Sequence, residues 1–161
     1  MQQPMAEGIS QGRRLDPKIV TKRQESLQEA LQQRGLRNTK QREILTDIFF
    51  SYDRHFSHDE LLSLARKQDS GIGYATVYRT LKLLTELGLA TEVNFDDGHT
   101  RFEAADGEHH DHLICIKCSK IVEFEEKRIE GLQERVAKAH GFELIHHKME
   151  LYGICLMCQK S

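Results

Sequence analysis

Ten consecutive residues, His109 to Cys118, hold three histidines, one aspartate and a Cys-x-x-Cys pair. Each of these side chains can donate an electron pair to a divalent cation. Run as a strand, the stretch would turn His109 and Asp111 to one face and His110 and His112 to the other. One short strand would then feed two nitrogen/oxygen metal sites, and the cysteines at its end would start a third. A solvated histidine-rich loop is the plainer reading. Leu113-Ile114 and the paired cysteines favour ordered burial over it.

Cys155 and Cys158 form a second Cys-x-x-Cys, and these four are all the cysteines in the chain. Two such pairs with nothing left over read as one tetrahedral, closed, structural zinc site. The 36 residues between the pairs exceed the usual zinc-ribbon spacing, so a strand and a helix must fit there. Two disulfides are the rival reading. The sequence shows no signal peptide, and a chain of this length needs no staples. A thioredoxin-like redox pair would not need a partner pair.

The elements that carry these residues follow from composition and periodicity. A length of 161 residues suits one domain or two small ones, and no apolar run approaches the ~20 residues that span a bilayer. Residues 1–42 carry nine Lys/Arg against four Asp/Glu, whereas residues 95–161 carry nine against thirteen and hold seven of the nine histidines. A basic beginning and an acidic, ligand-rich end suggest one job near phosphates and another near cations.

Residues 1–15 lack periodicity and read as a flexible tail. A helix is expected from Asp16-Pro17 to Arg34, with Ile19, Leu27, Ala30 and Leu31 on one side and Gly35 as its stop. Asn38 or Thr39 caps a second helix to about Phe50, with Ile44, Leu45, Ile48 and Phe49 as its buried stripe. Ser57 and Glu60 form a capping box that opens a third. A fourth runs from Tyr74 to Leu87 and closes at Gly88. Leu89 to Phe95 and Thr100 to Ala104 read as a hairpin around Asp96-Asp97-Gly98-His99.

Short helices followed by a two-stranded hairpin give the order of a winged helix-turn-helix. With Val77, Leu81, Leu84 and Leu87 packed inward, Thr76, Tyr78, Arg79 and Lys82 are left for a DNA major groove. A plain solvated helix face is the alternative. Beyond Ala105-Asp106-Gly107, the expected order is strand 110–116, strand 121–124, helix 126–140 and strand 142–152. The helix would pack its Ile129, Leu132, Val136 and Ala139 stripe on a thin sheet that a second copy completes.

From Gly35 to Cys158 the chain resembles the ferric uptake regulator family. The matching stretches are Ala75-Thr76-Val77-Tyr78-Arg79-Thr80-Leu81, His109-His110-Asp111-His112-Leu113-Ile114-Cys115, His140-Gly141-Phe142 and Leu151-Tyr152-Gly153. The resemblance implies a cytoplasmic, homodimeric, metal-dependent repressor of α+β class that acts on double-stranded operator DNA. Its parts would be a tail (1–15), a winged helix-turn-helix domain (16–104), a hinge (105–108) and a small α/β dimerisation domain (109–161). The structural Zn(II) would use Cys115, Cys118, Cys155 and Cys158. A regulatory metal at the hinge would use His55, Glu103, His110 and His112, with Glu123 a further ligand. An additional site would use His109, Asp111, Glu130 and His147. DNA contacts carried over fall on Arg37, Tyr78 and Arg79.

A zinc-sensing relative would be expected to carry cysteine where Glu103 stands, and a peroxide sensor aspartates at the Glu103 and Glu123 positions. Both are glutamates here. A mixed His/carboxylate set suits Fe(II), with Mn(II) the nearest rival and Zn(II) the tighter binder in vitro. His58, His99, His140 and His146 match no ligand position. No catalytic residue, membrane contact or small-molecule substrate other than metal ions is expected. A zinc-dependent hydrolase or a metal-storage protein would leave Tyr78-Arg79 and the hairpin without a purpose.

Overall fold

The computed structural model describes residues 12–96, 98–106 and 110–160. These form two compact units, divided after residue 107.

The first unit is built on helices whose ends are written in their caps. Helix α1 (Pro17–Gln33) starts where the Asp16 side chain accepts a hydrogen bond from the Lys18 amide at 2.8 Å, and Pro17 presets the first turn. It ends at Gly35, whose φ of +65° favours a residue without a Cβ. Helix α2 (Lys40–Ser51) is capped by Thr39. Helix α3 (His58–Arg66) opens on a reciprocal capping box: the Glu60 amide donates to Ser57 Oγ at 3.2 Å, and the Ser57 amide donates to Glu60 Oε2 at 2.9 Å. Ser57→Ala should cost about 1 kcal/mol. Urea denaturation would test this, and an unchanged midpoint would contradict it.

Helix α4 (Tyr74–Glu86) follows, and then strands β3 (Ala90–Asn94) and β4 (Thr100–Ala104), which pair antiparallel with Glu92 opposite Phe102. Phe56 and Phe102 exchange two backbone hydrogen bonds of 2.8 Å, which adds Phe56, two residues ahead of α3, to the hairpin. Leu27, Leu31, Leu45, Phe49, Phe50, Phe56, Leu61, Val77, Leu81 and Leu84 fill one continuous core. Removing such side chains from water is the main stabilising term. Helices crossing over this core, with the hairpin at its edge, make a winged helix-turn-helix. Ile19, expected on the buried side of α1, is instead 41% exposed, because the residues that the helix turns inward are Arg23, Leu27 and Leu31.

Residues 13 and 14, which lie in the aperiodic stretch at the beginning of the sequence, form strand β1 (Arg13–Arg14). It pairs antiparallel with β2 (Tyr52–Asp53), and the Leu15 amide donates to the Ser51 carbonyl at 2.9 Å.

In the second unit, β5 (Asp111–Cys115) lies between β6 (Ile121–Phe124), antiparallel to it, and β7 (Glu150–Gly153), parallel to it. Helix α5 (Lys127–Ala139) and the single turn α6 (Leu156–Gln159) complete it. The expected strand over 142–152 is shorter, since only its last residues find a partner on β5. Helix α5 has no buried residue, against the expectation that its stripe packs on the sheet; Leu132 is 51% and Val136 59% exposed. Ile114, Cys115 and Ile121 are the buried apolar side chains described in this unit. Among the described residues no helix is long and apolar enough to cross a membrane.

Candidate functional site

Strand β5 places its ligand-type residues by simple alternation. Its end feeds a tight turn in which the Ser119 amide donates to the Cys115 carbonyl at 2.9 Å. Ser119 takes φ +57°, a left-handed conformation that side chains other than glycine seldom adopt. The turn brings Cys118 back beside Cys115, and β7 delivers Cys155 and Cys158 from the other end of the chain. One sulfur from each of the four lies within 4.8 Å of all the others, and the Cys118 and Cys155 sulfurs are 3.7 Å apart. All four are free thiols, which removes the two-disulfide reading; a disulfide would need about 2.05 Å. A tetrahedron of sulfurs about 2.3 Å from zinc has edges of about 3.8 Å, so the spacing fits that ion.

The protons of this cluster tell the same story. The Cys155 amide, donating to Cys115 Sγ at 3.3 Å, draws that thiol down to about 6. The neighbouring Cys118 and Cys155 sulfurs push the Cys158 thiol up to about 12. Four thiolates cannot share this space without a cation among them.

A second cluster joins Asp111 at the start of β5, Glu130 in the first turn of α5 and His147 ahead of β7. His147 Nε2 lies 3.7 Å from Asp111 Oδ1 and 3.3 Å from Glu130 Oε2, and the Asp111 side chain is 1% exposed. These spacings suit adjacent positions around one small cation with ligands at about 2.0–2.2 Å. His109, expected here as well, lies outside the described residues.

On the opposite face of β5 the antiparallel register sets His112 across from Glu123. The His110 and His112 rings are 4.9 Å apart, edge to face, and His110 Nε2 is 3.8 Å from Glu123 Oε1. In the first unit, His55 Nε2 lies 3.0 Å from Glu103 Oε2, with both side chains largely buried. The alternation expected of residues 110–112 is therefore present, and the five ligand-type side chains fall into one pair and one trio.

Helix α4 presents the other candidate surface. Val77, Leu81 and Leu84 are buried, while Tyr78, Arg79 and Lys82 are exposed and Thr76 is half-buried. The N-cap is Gly73, without a side-chain cap, and the first turn holds no acidic residue. Such a helix start favours phosphate. Arg37 is exposed on the connection between α1 and α2. His58, which matches no ligand position, stacks on Tyr78 at 5.7 Å and 20°, lies 5.5 Å from the Tyr74 ring, and meets Phe102 edge-on at 5.0 Å. Burial pushes its imidazole below the ordinary histidine range. It ties the exposed Tyr78 ring to the hairpin, a role that a lone helix-start histidine does not announce in sequence.

The model of the ferric uptake regulator family matches residues 33–152. The ferric uptake regulation protein of Campylobacter jejuni subsp. jejuni is 43% identical over 139 residues, covering 85% of this chain and 88% of that protein. The protein of the same name from Rhizobium leguminosarum bv. viciae is 42% identical over 131 residues, covering 81% and 92%. Among solved structures, the Helicobacter pylori ferric uptake regulator, described as having three functional metal binding sites, aligns with a TM-score of 0.83 at 33% identity. That alignment covers 92% of this chain and 98% of the other. A zinc-bound manganese uptake regulator aligns with a TM-score of 0.71 at 42% identity, covering 81% and 99%.

Proposed function

The chain belongs to the ferric uptake regulator family, and on that premise we propose that it is a metal-responsive, DNA-binding repressor of iron-homeostasis genes. Cys115, Cys118, Cys155 and Cys158 hold structural zinc. His55 and Glu103, together with His110, His112 and Glu123, supply the ligands of a regulatory Fe(II). Asp111, Glu130 and His147, with His109, supply an additional site. Arg37, Tyr78 and Arg79 meet the DNA. The exposed Leu132, Val136 and Ile145 belong to the face that pairs with a second copy.

The observation that supports this reading is that each part carries its own His/carboxylate group, His55 with Glu103 in the winged-helix unit and His110 with His112 and Glu123 on the β5–β6 face. A divalent cation held by both parts supplies a link that orders the two recognition helices of a dimer for two half-sites. His55, His110 and His112 bind through neutral imidazole nitrogens, so protons compete with the metal for them. Mn(II) is the second reading for the regulatory ion, favoured by the 42% identity to a manganese uptake regulator.

An electrophoretic shift assay on AT-rich promoter DNA, with and without Mn(II) as an air-stable stand-in, tests the proposal. Binding should require the metal. Arg79→Ala should weaken operator binding by about 1–3 kcal/mol if it reads a base. If it contacts a phosphate, affinity for all sequences should fall and the salt slope flatten by about one unit. Zinc content and the dimer should not change. Metal-independent binding to all DNA would point instead to a metal-storage or unrelated role, and unchanged affinity in Arg79→Ala would remove that residue from the interface.

A further inference from the structure

The β1–β2 pair lies next to His55, and its contacts lead directly to that residue. Arg13 pairs with Asp53 and Arg14 with Tyr52, and the Leu15 amide adds a hydrogen bond to the Ser51 carbonyl. The chain from 12 to 15 thus straps down the segment that ends in His55. Gly12 sits at the start of this strap in a place with no room for a side chain. A Cβ there would fall 2.5 Å from Arg54 Cβ and 2.7 Å from its Cγ, the stiff root of the side chain rather than its free end. The close approach presses the strap onto Arg54.

Arg54 is itself buried and held on three sides. Its guanidinium lies 4.3 Å from the Phe56 ring centroid, Nη2 is 3.3 Å from Glu60 Oε1, and Nε donates to the His55 carbonyl oxygen at 3.3 Å. Glu60 is the residue that closes the capping box at the start of α3. A continuous set of contacts therefore runs from Gly12 through Arg54 to the His55 backbone and the helix behind it. Changing a group that orients a metal ligand without touching the metal typically lowers metal affinity about 10–100-fold.

We propose that the amino-terminal strap, through Gly12 and Arg54, positions His55 for the regulatory metal. Gly12 and Arg54 are positioning residues that tune how much metal the sensor needs, and they do not build the DNA surface. This inference rests on the reading of His55 as a ligand. Without the strap, residues 52–55 lose the pairing with β1 and keep their attachments to α2, to α3 and, through Glu103 and Phe95, to the hairpin, so part of the ordering of His55 falls to the moment of metal binding.

The test uses the full-length dimer carrying Gly12→Ala, which forces the strap off Arg54, or Leu15→Pro, which removes the bond to Ser51 and leaves Gly12 in place. Operator affinity is titrated against Mn(II), and amide hydrogen exchange is followed over residues 52–55. Both variants should exchange faster there and raise the half-saturating Mn(II) concentration about tenfold. Affinity at saturating Mn(II) should match the wild type. Equal half-saturation, unchanged exchange in Gly12→Ala, or a plateau that falls in parallel would each overturn the proposal. His55→Ala serves as the control. If it keeps the wild-type metal response, the ligand reading itself fails. If it abolishes the response while the strap variants behave as wild type, only the strap inference fails.

Discussion

Cys118→Ser should give a chain that no longer holds zinc, does not dimerise and loses the order of residues 110–160. The second unit has little else to hold it together. Its helix α5 buries no side chain, and among the described residues only Ile114, Cys115 and Ile121 supply buried apolar side chains. A structural zinc adds about 10–16 kcal/mol of apparent binding energy to folding, comparable to the whole stability of an ordinary domain. Serine cannot take the place of the thiolate, and the three remaining sulfurs lose the fourth corner of the tetrahedron. The winged-helix unit has its own core and should stay folded. Zinc content, sedimentation and hydrogen exchange resolved along the chain would test the prediction together. A stable, dimeric, zinc-loaded Cys118→Ser protein would refute the structural role of the cluster.

His112→Ala should remove the metal response and leave the zinc and the dimer intact. The Asp111 and His112 side chains point to opposite faces of β5, so the deletion does not touch the Asp111–Glu130–His147 cluster. It takes a nitrogen from the trio with His110 and Glu123, where the His110 and His112 rings stand 4.9 Å apart. An ordinary coupling of about 1–3 kcal/mol changes affinity about 5–150-fold, and that is the stimulation by Mn(II) that should vanish. His55→Ala should behave alike. If His112→Ala kept the wild-type response, sensing would move to Asp111, Glu130 and His147.

The parts legible in the sequence are those set by a period or a cap. The 3.6-residue spacing of Val77, Leu81 and Leu84 places Tyr78 and Arg79 outside, and the twofold alternation of β5 separates Asp111 from His112. Ser57 and Glu60 announce the start of α3 three residues apart. The stripe on α5 was equally legible as a face. Its cover was not, because periodicity shows that a face is apolar without saying what lies against it. Strand β1 escaped notice because two residues cannot display a period, and its partner β2 is as short. Residues 142–152 are expected as one strand, yet pairing needs a neighbouring edge, and only Glu150–Gly153 reaches β5. His55 in sequence is a lone loop histidine, and only the family resemblance singles it out. The contact of Gly12 with Arg54 joins residues 42 positions apart and leaves no local trace.

If regulatory metal and operator are linked through the same dimer, the linkage must act in both directions. The most direct measurement is therefore the Mn(II) affinity of the wild-type dimer by calorimetry, first free and then saturated with operator duplex. Operator should tighten Mn(II) binding by the same factor by which Mn(II) tightens operator binding, about 5–150-fold, and His112→Ala should erase the difference. Equal Mn(II) affinity with and without operator would contradict metal control of DNA binding in this protein.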